Sequence, residues 1–105
     1  MNFQQTLATL PDAGHLRGLD VVDAQGAVVH HIPAAPGKMG SLRVYNALAE
    51  RFGGALDAAA VAQGLAWFAE HVADARARPG AHPNIDLLLA PATAQAGWRL
   101  VPLSA

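Results

Sequence analysis

The chain has 105 residues, 52% of them apolar and 14% charged, with a formal net charge of −1 and no cysteine. That length suits one domain, here residues 1–105, burying roughly 65% of its unfolded surface around one core. Seven scattered basic residues, of which Lys38 is the sole lysine, make no basic stripe for nucleic acid, and no apolar run approaches the roughly 20 residues of a membrane span.

Phe3, Leu7 and Leu10 recur at spacings of four and three, predicting a short amphipathic helix capped by Asn2 and stopped by Pro11. Two apolar runs, Leu19–Val22 and Ala27–Ile32, flank Asp23-Ala24-Gln25-Gly26. Aspartate at the first turn position and glycine at the last fit a three-residue hairpin loop. That loop sets Asp20 opposite His30, Val21 opposite Val29 and Leu19 opposite His31, and sends one of the two adjacent histidines toward the core.

Two prolines and two glycines between Pro33 and Gly40 predict a loop. Ser41 then caps a helix with an apolar face of Leu42, Tyr45, Leu48, Ala49 and Phe52, and with Arg43, Asn46 and Glu50 opposite. Gly53-Gly54 ends it. Asp57 caps the longest predicted helix, which runs to about Arg76 with Val61, Leu65, Phe68 and Val72 buried. On that continuous helix Trp67, His71, Asp74 and Arg78 form a second stripe that the same core does not explain. Asn84 starts a further short helix ended by Pro91, and Trp98–Leu103 is a last strand that Pro102 confines to an edge. The expected architecture is α+β: a three-stranded antiparallel sheet, made of the hairpin and the C-terminal strand, with about four helices on one face. The second sheet face and the low net charge favour a homodimer.

Chemistry has two addresses in this sequence. Gly37, Lys38, Gly40, Ser41 and Arg43 surround a helix start, where free backbone N–H groups and the helix dipole suit an anion. The segment is not a phosphate-binding P-loop, because Met39 and Gly40 separate Lys38 from Ser41. Glu70, His71 and Asp74, with His82 beyond the next loop, are a candidate metal set. His71 and Asp74 share one helix face, but a His-x-x-Asp pair supplies two ligands where a structural site needs about four. His30 and His31 read as sheet contacts, and Trp67 and Trp98 as packing or interface anchors.

Gly40-Ser41-Leu42-Arg43-Val44-Tyr45, Ala69-Glu70-His71 with Asp74-Ala75, and His82-Pro83-Asn84-Ile85-Asp86 together resemble a family of short bacterial proteins known only as a domain of unknown function. The resemblance implies a bacterial, stand-alone domain, and brings no activity, cofactor or catalytic residue. The missing signal-peptide pattern and the lack of cysteine point to the cytoplasm. The function expected is that of a binding or assembly module, a homodimer holding a small anionic ligand at Gly37–Arg43, with no resident cofactor and no nucleic-acid or membrane partner. The alternative is a small metal-assisted hydrolase or lyase in which Glu70 serves as base. No complete catalytic set decides whether the protein is an enzyme.

Overall fold

Local sequence signals set most element ends. The computed structural model describes residues 1–105 as α1 (Phe3–Thr9), β1 (Leu16–Val22), β2 (Val28–Pro33), α2 (Met39–Arg51), α3 (Ala58–Phe68), α4 (His71–Ala77), α5 (Pro83–Leu89), a 3-10 turn at Thr93–Gln95, and β3 (Arg99–Ser104). Asn2 and Gln5 form a reciprocal capping box on α1, and the Asp57 carboxylate accepts the Ala60 N–H at the start of α3. The Asp23–Gly26 loop forms as expected. Gly26 takes a positive φ of 86°, its N–H reaches the Asp23 carbonyl at 3.0 Å, and the Asp23 carboxylate accepts two further loop N–H groups.

The three strands form one antiparallel sheet in the order β2-β1-β3, which leaves Pro102 on an edge strand. Leu19, Val21 and Ile32 are fully buried, whereas their neighbours Asp20 and Val22 stay partly exposed. One face is therefore covered and the other open. Helix α2 packs on all three strands.

The hairpin register differs from the one the loop alone predicts. Asp20 faces His31 and Val21 faces His30, while nearer the turn Val22 faces Val28. The shift between Val21 and Val22 leaves Val29 as an extra residue on β2. Its consequence is to exchange the histidines. His31 Nδ1 lies 2.6 Å from the Asp20 carboxylate on the open face, and His30 turns to the covered side.

There are five helices rather than about four, because the helix expected over residues 57–76 breaks in two. Ala69 stands at the break with φ 53° and ψ −124°, close to a turn conformation that glycine normally fills. Such a position costs a residue with a Cβ about 1–3 kcal/mol. Two contacts hold it: the Glu70 carboxylate accepts the Phe3 N–H at 2.7 Å, and the Phe3 and Phe68 rings stack 5.8 Å apart. The break also shifts the buried stripe of α3 to Ala60, Gly64 and Phe68, with Val61 and Leu65 only partly covered.

Helix α2 begins at Met39, so Ser41 lies inside its first turn, and Lys38 rather than Ser41 is the capping position. This helix is the centre of the molecule. Its buried residues, Leu42 and Val44 through Ala49, cover more than one face. Asn46, expected outside, is therefore buried, and its Nδ2 atom has no hydrogen-bond partner. Close approach of α2, α3 and α5 depends on Gly64, where a Cβ would stand 2.8 Å from Leu88 Cδ1 and 3.0 Å from Leu48 Cδ1. Trp67 and Trp98 are partly buried against the same core of twenty residues.

Replacing Ala69 with glycine removes the clash of a Cβ in that conformation, at the cost of a more flexible unfolded chain. Ala69→Gly is expected to raise unfolding free energy by about 1 kcal/mol, read as a higher urea midpoint with an unchanged m-value. A lower midpoint would mean that the break is not a strained joint.

Candidate functional site

The first turn of α2 sits directly on α1. A Cβ at Gly40 would lie 3.2 Å from the Phe3 ring edge and 3.6 Å from Leu7 Cδ1. Any larger residue would push the two helices apart. Beside this contact opens a cleft of about 520 Å³, lined by Gly37, Lys38, Gly40 and Ser41 together with His71 and His82. Phe3, Gln4 and Leu7 bring α1 into its wall. Sequence reasoning missed that wall, since nothing in the spacing of α1 says which helix start it will rest on.

The two candidate regions thus converge, though not all their residues do. Arg43 does not line the cleft; its guanidinium donates to the carbonyls of Leu10 and Pro11, at 2.8 Å and 3.2 Å, and closes the end of α1. Glu70 does not line it either. The residue's own backbone N–H, and then that of Phe3, hold its carboxyl below the usual carboxylate range. Asp74 stands behind His82, accepting from Arg78 Nε at 2.9 Å and from Arg78 Nη2, with His82 Nε2 2.5 Å away. No group of three His, Asp or Glu side chains is arranged to hold a metal ion. Of the candidate metal set Glu70, His71, Asp74 and His82, the cleft lining includes His71 and His82.

A ladder of rings fixes the two imidazoles. Tyr45 meets Phe68 edge to face at 6.3 Å, Phe68 stacks on Phe3, and Phe3 meets His71 edge to face at 4.7 Å. His82 follows at 5.9 Å from His71. The break at Ala69 is what turns His71 onto Phe3. His82 precedes Pro83, the first residue of α5, and that turn is pinned by the Tyr45 hydroxyl donating to the Asn84 carbonyl at 2.6 Å.

The ionisable side chains lining the cleft are Lys38, His71 and His82, and no carboxylate lines it. The arrangement offers a lysine and two imidazoles to a negative charge, and apolar surface at Leu7 and Met39, the latter 40% exposed. A family model described as uncharacterized proteins conserved in bacteria (DUF2322) matches residues 3–101. The chain belongs to this family. No curated protein and no solved structure matches it. The match runs through every segment that builds the cleft, from Phe3 to Ile85. Membership of the family carries no function with it. No helix is long and apolar enough to cross a membrane.

The Arg78 guanidinium, and then His82, hold the Asp74 carboxyl far below the usual carboxylate range. A depressed carboxyl stabilises the fold above its unfolded value of about 3.9, and that stabilisation is lost as pH falls from there through the folded value. Urea midpoints are expected to drop with acidification from about pH 4 downward. Asp74→Asn should flatten that slope, leaving the smaller part owed to Glu70. Identical slopes in the two proteins would contradict the role given to Asp74.

Proposed function

We propose that this protein is a binding module that holds a small anionic ligand in the cleft between Gly37–Ser41 and the His71, His82 pair. The observation that carries this reading is the charge of the lining, with Lys38 and two imidazoles facing the space and every nearby carboxylate bonded elsewhere. The first turn of the 13-residue helix α2 adds backbone N–H groups at the same wall. Metal-assisted hydrolysis or lyase chemistry on Glu70, His71, Asp74 and His82 has less support, since two of the four ligands would first have to leave Phe3 and Arg78.

Titration with inorganic phosphate, followed by amide and imidazole resonances, is expected to shift Gly37–Ser41, His71 and His82. Lys38→Ala should weaken binding about two- to fivefold, the size of one partly exposed charge interaction. Shifts elsewhere, with Gly37–Ser41 unmoved, would end this reading.

Homodimerisation, the second part of the proposal, rests on the open sheet face and the edge strand. Val28 and Val29 on β2 are 56% and 42% exposed, and Val101 on β3 is 40% exposed. Against it, the accessible surface of 5428 Å² is close to the roughly 5,600 Å² of a self-contained monomer of this mass. Light scattering should give twice the chain mass, falling to the chain mass when Val28 and Val101 are both changed to lysine. A native protein already at the chain mass leaves the ligand cleft as the whole function.

A further inference from the structure

The orientation of His82 narrows the ligand class, on the premise that the cleft takes an anion at all. Arg78 has only donors, and it occupies both oxygens of Asp74. The carboxylate so held is an acceptor alone, so the atom of His82 that faces it, Nε2, must carry a proton. In the neutral ring the lone pair then falls on Nδ1, and the ring's protein hydrogen bond runs through Nε2, leaving Nδ1 for the cleft. Lys38, a pure donor, lines the same cleft. The cleft therefore presents a cation for negative charge and, apart from it, an acceptor that a plain anion cannot satisfy.

We infer that the cleft selects small acids that carry a hydroxyl beside the acid group, the acid meeting Lys38 and the hydroxyl donating to Nδ1 of His82, with Asp74 and Arg78 as the residues that position the ring. A site that accepts a substrate hydroxyl discriminates against the analogue that lacks it, because the acceptor, here on a ring 28% exposed, then has only water for a partner. Asp74→Asn gives a sharper expectation than simple loss. Arg78 would claim the amide oxygen and turn the NH₂ group toward His82. Nε2 would then accept, the proton would move to Nδ1, and the ring would show the cleft a donor.

Lactate and propanoate differ by that hydroxyl alone and are the probes. At about pH 8, where ordinary imidazoles are neutral, lactate should bind at least tenfold more tightly than propanoate, a difference of about 1.4 kcal/mol. In Asp74→Asn the ratio should fall to near one, and imidazole ¹⁵N shifts should report His82 changing from the Nε2–H to the Nδ1–H tautomer. Amide shifts of the variant matching the native protein outside the cleft are the check that it is folded. Equal binding of both acids to the native protein, with shifts at Gly37–Ser41, would overturn the selectivity and leave anion binding standing. An Nδ1–H tautomer in the native protein would overturn it as well. Binding of neither acid, nor of phosphate, would remove both readings together.

Discussion

The cleft exists because a buried hydroxyl needs a partner. Tyr45 is fully buried at the centre of α2, and burial pushes its phenol far above the usual range, so it stays a neutral donor. Leaving such a group unbonded would cost about 1–3 kcal/mol, and the acceptor it finds is the Asn84 carbonyl in the first turn of α5. The Asn84 side chain in turn meets His30 Nε2 at 2.6 Å. Three elements far apart in the chain, α2, α5 and β2, are thus tied at one residue. His82 lies two positions before that knot and owes its place to it.

The same knot accounts for the hairpin. In the register that the loop alone favours, His30 would face Asp20 and the inward histidine would be a different one. The extra residue at Val29 moves His30 to Asn84 and gives Asp20 to His31 instead. Both imidazoles then have polar partners, at the expense of one local irregularity in an edge strand, where bulges are most easily accommodated. A second tie works at the other end of the cleft, where Glu70 holds the N-terminal helix and Phe3 meets both Phe68 and His71. Here too a local rule yields to a longer-range bond, since Ala69 adopts a backbone conformation that suits glycine.

These departures mark the limit of what the sequence makes legible. Caps, turn glycines and prolines act within a few residues, so Asn2, Asp57, Asp23–Gly26, Pro11 and Pro102 announce their structures correctly. The break at Ala69 has no such sign, because alanine-rich sequence favours a continuous helix and only the packing of Phe3 interrupts it. Asn46 looks like a surface residue because α2 has the pattern of a helix with one buried face, whereas it is packed on several. Both candidate regions were visible as residue types. Their meeting was not, since it follows from the break, the Tyr45 bond and the seat of α1 on Gly40. Arg43 and Glu70 have the chemistry of site residues, but only the structure shows that each is bonded to α1.

The division of labour among the charged groups explains what kind of site remains. The carboxylates nearest the cleft serve as ties: Glu70 takes a backbone N–H of α1, Asp74 takes Arg78 and His82, and Asp86 takes the N–H of Gly80. Recruiting one of them to a cation would leave its present donor without a partner, a cost comparable to the bond lost. The cations are divided differently. Arg43 and Arg78 are engaged, while Lys38, which lines the cleft with the imidazoles, is not tied to any carboxylate. Negative charge is spent on holding the walls, and the ionisable groups left on the cleft lining are one lysine and two imidazoles.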